Sequence, residues 1–388
     1  MNYKDYYVLS GGYDTKNVGD YAMLDYFVKK SHHNNIGVKL LSRHYQQHLI
    51  DDYGVDELLE NFEYSCKKES LNNFFRGFNF EDDSSHLHQL ADELKKSKGL
   101  VIGGGRLLVD YFTDIMKGPL AYWTTLVILC KFLDIPVHIY AMTFIPLKTK
   151  DGEKSVRFIV DNSKSISVRD SDSLKYLRDI GCQNKKITVI PDPAYALDWK
   201  KSSLNNGKVA ITARHISKSY GDLDLSKFID QMEWIINTVE SMGYKTYGIP
   251  HCYYDVDTPH TDDRHILKIL AKRTPLRVVE KEILNISEYG EFYQEMDALI
   301  GVRRHSMLFA AAAGVPVLGI CETENGTRAC FEIDAETPLL LNFDRDKAAL
   351  AIRKILSQKQ LIAKRQITAF KLKSDEVTIG FNNSLIWK

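Results

Sequence analysis

The sequence predicts an α/β fold: two parallel-sheet domains of similar size facing each other across a cleft, followed by a C-terminal helical segment. Three observations predict it. Short apolar runs alternate with amphipathic stretches along most of the 388 residues, the rhythm of strand and crossover helix. Midway the rhythm is interrupted by Lys200–Lys208 (KKSSLNNGK), a polar run with the composition of a linker. The length suits two domains of roughly 100–200 residues each. The expected boundaries are 1–199 for the first domain, 200–208 for the linker, 209–345 for the second domain and 346–388 for the helical segment, which is expected to pack back on the first domain.

The elements follow in order. Tyr6–Ser10 is a strand, and Asn17–Asp20 turns the chain into a helix whose Met23, Leu24, Phe27 and Val28 share one face. Gly99–Ile102 is a strand that runs into Gly103-Gly104-Gly105. The apolar helix Ala121–Leu133 leads to the strand Pro136–Tyr140. Ser165–Val168 comes next, then the helix Ser173–Ile180 stopped by Gly181, then the strand Ile187–Ile190 ending at Pro191-Asp192-Pro193. In the second half the strands Val209–Thr212, Thr246–Ile249, Ala298–Val302 and Val315–Ile320 alternate with the helices Phe228–Ser241, Arg264–Lys272 and Ser306–Ala313. The stretch 346–372 reads as helical and basic. Each half is thus Rossmann-like, and ligands in such sheets bind at the C-terminal ends of the strands.

Composition narrows the function classes. Lys+Arg and Asp+Glu both number 51, which argues against a general nucleic-acid binder, since phosphate binding needs a net basic face. The N-terminus MNYKDYYVLSGGYD carries no basic segment followed by an apolar one, so no signal peptide is expected. The most apolar segments, Pro119–Cys130 and Met307–Ile320, fall short of the ~20 residues a spanning helix needs. Six cysteines without a C-x-x-C pair read as reduced thiols of a cytoplasmic protein.

Five motifs end strands. Asn17-Val18-Gly19-Asp20 allows a tight turn; Asp20 either caps the following helix or points into the cleft to orient or deprotonate a hydroxyl. Gly103-Gly104-Gly105 lets backbone N–H groups approach a ligand, although it is neither G-x-G-x-x-G nor a P-loop. Arg169 and Asp170 either pair with each other, cap a helix or face the cleft, and two prolines fix Asp192 as cleft structure or ligand contact. Arg214, ending the first strand of the second half, suits bidentate binding of a carboxylate or phosphate. The strongest motif is Gly301-Val302-Arg303-Arg304-His305-Ser306: two arginines and a histidine crowd a helix N-terminus, where the dipole repels cations and attracts an anion. Metal is a weaker option. His44 and His48 would share a helix face without an H-E-x-x-H, and the loop His251–Asp263 (HCYYDVDTPHTDD) is better read as polar cover than as a metal site.

Taken in order, these pieces resemble the polysaccharide pyruvyl transferase family. The matching features are N-x-G-D early in the chain, the glycine triplet, Val168-Arg169-Asp170 to Ser173, Asp192-Pro193-Ala194, the strand-ending Arg, and the G-x-R-x-H run into an alanine-rich helix and G-V-P. The resemblance implies a fold like that of the GT-B glycosyltransferases. It also implies phosphoenolpyruvate as donor, no further cofactor or metal, and a sugar acceptor that receives a pyruvate ketal across two hydroxyls in surface-polysaccharide synthesis. It gives Arg303 and His305 donor binding and acid catalysis and makes Arg214 the counterpart of the family's central-strand arginine; the donor's two anionic groups call for Arg304 beside Arg214 and Arg303, with Gly301 and Ser306 in the same donor site. Asn17, Gly19, Gly103, Gly104, Gly105, Arg169 and Asp192 fall to the acceptor side or cleft. Two departures stand out. Arg304 replaces a usual apolar residue, and Cys321-Glu322-Thr323-Glu324-Asn325 stands where the family often has an aromatic residue and a Lys, with Arg328 a candidate replacement charge.

The chemistry supports that reading independently. Phosphoenolpyruvate carries two anionic groups, and an arginine set holds them. Its methylene carbon must be protonated by an acid titrating near neutrality, for which His305 is suited, and Asp20 would orient or deprotonate the attacking hydroxyl. The competing enzyme is a nucleotide-sugar glycosyltransferase of the same fold. Against it, residues 301–320 contain no acidic side chain, whereas retaining members often carry E-x₇-E there. The third reading is a non-catalytic anion- or sugar-binding protein. An acceptor on a lipid carrier would bring the protein to the inner membrane face, and the basic run Lys347, Arg353, Lys354, Lys359, Lys364, Arg365 is either a contact with it or a solvated helix face.

Overall fold

The computed structural model describes residues 3–61, 86–110, 119–216, 224–254, 261–321, 324–335, 338–340 and 343–387. The chain divides into two units. The first is Met1–Asp14, Met23–Pro193 and Glu376–Lys388; the second is Thr15–Ala22 and Ala194–Asp375.

The first unit is built on β1 (Asp5–Ser10), β2 (Ile36–Ser42), β3 (Glu57–Glu60), β4 (Leu100–Gly105), β5 (Val137–Met142), β6 (Ser165–Val168) and β7 (Ile187–Val189). These form a seven-stranded sheet in the order β3-β2-β1-β4-β5-β6-β7, with parallel pairings throughout. Its described helices are α1 (Val18–His33), whose first turn is counted with the second unit, α2 (Gln47–Asp51), α3 (His86–Lys96), α4 (Pro119–Phe132), α5 (Lys150–Asp161) and α6 (Ser171–Asp179). Every residue of β4 and β5 is buried, as expected of parallel strands covered on both faces. Met23, Leu24, Phe27 and Val28 are buried together, as their spacing requires.

The second unit repeats the plan with β8 (Lys208–Thr212), β9 (Lys245–Gly248), β10 (Arg277–Val278), β11 (Ala298–Gly301), β12 (Val317–Cys321) and β13 (Leu339–Leu340), ordered β10-β9-β8-β11-β12-β13 and again parallel. Its helices are α7 (Leu225–Ser241), α8 (Asp263–Ala271), α9 (Ile286–Gln294), α10 (Arg304–Ala312), α11 (Glu324–Glu332), α12 (Arg345–Ser357) and α13 (Lys359–Asn382), the last running on into the final stretch of the first unit. Side chains of Asp170, Asp224, Asp262, Asn285 and Asp344 accept N–H bonds at the starts of α6, α7, α8, α9 and α12, so several conspicuous acids of the sequence act as helix caps. Among the described residues no helix is long and apolar enough to cross a membrane. Cys130, Cys182, Cys252, Cys321 and Cys330 are buried thiols, and Cys66 lies outside the described residues.

Two expected boundaries are corrected. The run 200–208 is not a loose linker but is fastened inside the second unit. Lys201 Nζ donates to Ala312 O at 2.5 Å, and Ser202 donates to Ala313 O and Met296 O. Asn206 and Gly207 donate backbone N–H to the Asp297 carboxylate, at 2.8 and 3.1 Å. Its Lys201 and Ser202 side chains and its backbone N–H groups are spent on main-chain carbonyls and the Asp297 carboxylate, which composition alone does not distinguish from solvation. The C-terminal segment is likewise not one piece, since it belongs to the second unit through Asp375 and to the first from Glu376. In the first unit Phe381 packs on Tyr26 and Tyr140, and Tyr7 donates its hydroxyl proton to Ile386 O.

α13 also completes the second sheet. β13 is short and meets β12 only at Ile320 and Cys321. At the other end of β12 the buried Gln366 stands in for a strand: its Oε1 accepts the Val317 N–H at 2.9 Å and its Nε2 donates to Val317 O at 3.3 Å. Gln366→Leu, close in size, leaves both peptide groups unmet. It is expected to cost about 1–3 kcal/mol for each, measured as a lower urea midpoint with an unchanged slope.

Candidate functional site

In the second sheet the strand order reverses between β8 and β11, so the turns after these two strands diverge and leave a crevice, the usual ligand position in such sheets. Thr212-Ala213-Arg214-His215 follows one strand, and Val302-Arg303-Arg304-His305 follows the other. Thr212 and Gly301 are register partners. A Cβ on Gly301 would lie 1.9 Å from Thr212 Oγ1, so the glycine is what lets the strand ends close up. Arg303 is the N-cap residue of α10, with Arg304, His305 and Ser306 in its first turn.

Beneath this turn lies a chain of hydroxyls. Ser306 Oγ donates to Arg303 O at 2.6 Å and is 3.0 Å from Thr212 Oγ1. Ser306 has a single proton, spent on Arg303 O, so Thr212 donates into Ser306. Nearby, the Tyr293 hydroxyl lies 2.9 Å from His251 Nε2. His251 is fully buried. Burial pushes its imidazole well below the usual range, with the charges of Arg303 and His305 adding to the effect. Ser306, a donor-site candidate, thus supports the turn from within.

The arginines arrive with partners. Arg303 grips Asp263 through Nε, at 3.1 Å, and Nη2. Asp263 is buried at 1% exposure and also accepts backbone N–H bonds from His251 and Cys252, at 3.0 and 3.1 Å. Burial raises its carboxyl, while Arg303, the His251 N–H and the nearby charge of Arg214 pull it down. Arg304 Nη2 donates to Glu332 Oε2 at 3.0 Å, and Glu332 accepts the Tyr195 hydroxyl as well. Arg214, at the end of β8, is half-buried.

The early turn belongs to this same unit. Asn17 bridges Cys252, Val18 N–H donates to His251 O, and Tyr253 N–H donates to Lys16 O. Asn17 Oδ1 accepts the Gly19 N–H at 3.3 Å and so caps α1, the role left open for Asp20. Gly19 is pressed against His305: a Cβ there would lie 2.0 Å from Nδ1 and 2.4 Å from Cγ of the ring. Asp20 follows in the first turn of α1 and its charge acts on Cys252.

The remaining candidates lie in the first unit. Gly103 has φ +149°, and a Cβ on it would come within 1.9 Å of Tyr140 O. Gly104 N–H donates to the Tyr13 hydroxyl at 2.6 Å, and Gly105 closes β4. Arg169 Nη1 donates to Asp192 Oδ2 at 2.7 Å, both side chains buried, and its Nε donates to Thr143 Oγ1. Asp170 caps α6 instead of pairing with Arg169. Among the described residues no group of three or more His, Cys, Asp or Glu is placed to hold a metal ion. His44 precedes α2, so it shares no helix face with His48. Sequence reasoning missed Asp263, His251, Tyr293 and Glu332 as parts of this site. The one available signal was the His251–Asp263 loop, which supplies two of them.

The sequence matches the family described as Polysaccharide pyruvyl transferase over residues 5–320. No protein with a curated description matches significantly. Among solved structures, Anabaena HepE in complex with UDP superposes with TM-score 0.59 at 11% identity, covering 97% of this chain and 98% of that one. The UDP-GlcNAc 2-epimerase of Neisseria meningitidis gives 0.56 at 13% identity, covering 96% and 99%. S. aureus MnaA gives 0.55 at 12%, covering 98% and 97%. At these identities the likeness shows the fold, which is of the GT-B type.

The contact between Gly19 and His305 is testable by itself. Gly19→Ala is expected to displace the imidazole and to lower stability by about 1–3 kcal/mol. Histidine NMR spectra assigned by comparison with His305→Gln, together with urea unfolding, would check it. Unmoved His305 signals would show that the turn does not press on the ring.

Proposed function

This chain belongs to the polysaccharide pyruvyl transferase family, and from that premise we propose that it transfers pyruvate from phosphoenolpyruvate to two hydroxyls of a sugar, as a ketal, in the synthesis of a bacterial surface polysaccharide. The single observation that carries the reading is the crowding of Arg303, Arg304 and His305 at the start of α10, with Arg214 ending the neighbouring strand β8. A helix N-terminus adds a partial positive charge and unpaired N–H groups to that set. The donor's carboxylate and phosphate are the anions it suits, and neither a cofactor nor a metal is needed.

In the proposed sequence His305 gives a proton to the methylene carbon and C2 becomes electrophilic. The first sugar hydroxyl adds at C2 and loses its proton to Asp20. Phosphate then leaves with the C2–O bonding pair, and the second hydroxyl takes its place and closes the ring, its proton passing to the departing phosphate. The packing of His305 on Gly19 supports a joint role, since Asp20 is the next residue. Arg303 and Arg304 enter with Asp263 and Glu332 as partners, so the proposed clamp is an arginine set with fixed orientations rather than three bare cations. On the acceptor side the Gly103–Gly105 backbone is the candidate in the first unit. Arg169 and Asp192 neutralise each other there and act in this reading as structure around it.

The test is incubation with phosphoenolpyruvate and a panel of lipid-linked or aryl glycosides, following phosphate release and the mass of one added pyruvate ketal. His305→Ala is expected to lower turnover by about 10²–10⁴-fold while the protein still binds phosphoenolpyruvate. Near-normal turnover of that variant would remove the acid assignment. Sugar transfer from a nucleotide sugar, with no phosphate released from phosphoenolpyruvate, would replace the reading with the glycosyltransferase one.

A further inference from the structure

We infer that Asp263 is a positioning residue of the anion site: its carboxylate fixes the Arg303 guanidinium so that one defined edge is presented to the donor. The inference rests on the reading of this site as a phosphoenolpyruvate site. Asp263 opens α8, forty residues before Arg303, and it is held from several sides. Its Oδ2 accepts two successive backbone N–H bonds, from His251 and Cys252, and its own N–H donates to Cys252 O at 2.9 Å. Cys252 in turn bridges Asn17, beside the turn that presses on His305. The carboxylate therefore has little freedom to follow a moving arginine, and the arginine must conform to it.

The fork uses the Nε and Nη2 edge of Arg303. A planar guanidinium held by that edge meets any further acceptor through its Nη1–Nη2 edge, in one orientation. That edge matches the paired oxygens of a carboxylate or phosphate. A buried carboxylate in the first turn of α8 would be costly if its purpose were only to cap, because the neighbouring Asp262 already caps that helix.

Asp263→Asn isolates the effect. The Asn oxygen, in the place of Oδ2, can still accept from the 251–252 backbone and from Arg303 Nε, but its NH₂, in the place of Oδ1, confronts the Nη2 N–H of Arg303, so the two-pronged fork is lost. The experiment is a double-mutant cycle of Asp263→Asn and Arg303→Lys, reading Kd for phosphoenolpyruvate by calorimetry, and KM and kcat from phosphate release. Asp263→Asn is expected to raise Kd and KM about tenfold with kcat changed less than threefold. In the Arg303→Lys background it is expected to add less than twofold, because the fork is already gone. Equal losses in both backgrounds, or tighter donor binding by Asp263→Asn, would overturn the inference; the latter would make Asp263 a competitor for Arg303. If melting shows Asp263→Asn unfolded, the cycle is run with Asp263→Glu, which keeps the charge and misplaces it, and the same non-additivity is expected. A wild-type protein that neither binds phosphoenolpyruvate nor releases phosphate would instead remove the functional reading, an outcome distinct from additivity in an active enzyme.

Discussion

The close pairing of β8 with β11 is the constraint on which the second unit's site depends. Parallel strands need crossovers, and a sheet that grows first to one side and then to the other has a single place where neighbouring turns part. That place is set by Thr212 facing Gly301. With no side chain at Gly301, Thr212 reaches Ser306, Ser306 holds the carbonyl of Arg303, and α10 starts where it does. The backbone that carries Arg303, Arg304 and His305 thus owes its place to contacts that carry no charge.

Charge is then managed pairwise. Arg169 with Asp192, Arg303 with Asp263 and Arg304 with Glu332 each bring an arginine to a strand end or helix start with a carboxylate already beside it. Removing one partner of such a pair leaves a poorly solvated charge, which is why buried pairs resist single substitutions. The neutral balance of the whole chain, 51 against 51, is thus repeated on the scale of the site.

Much of the fold was legible because its signals are local. Runs such as Leu100–Gly105 and Val137–Met142 are apolar throughout, and the strands Ser165–Val168 and Ala298–Gly301 follow from the same pattern. Less regular elements were not. β3 (ELLE) is four residues with no buried position, and α9 opens with Ile-Ser-Glu behind an asparagine cap. In the site the Arg303–Ser306 cluster is a contiguous motif that anyone can read. Asp263 is not, because its meaning is a partner forty residues away, fixed only when the start of α8 meets the start of α10. Lys200–Lys208 misled for the opposite reason: the same polar atoms serve water or loop carbonyls equally well, and only the folded chain selects between them.

The way the units share the chain bears on how the protein comes into being. Neither is a contiguous stretch: the second takes Thr15–Ala22 from near the start, and the first takes Glu376–Lys388 from the end. During synthesis most of the first unit is made well before Ile386 and Phe381, the partners of Tyr7 and Tyr140, are added. The second unit, though translated later, needs the turn at Asn17, made long before it, to bridge Cys252. A single genetic cut cannot excise either one intact, and an insertion within Thr15–Ala22 or Glu376–Lys388 falls in the unit whose bulk lies in the other half of the sequence.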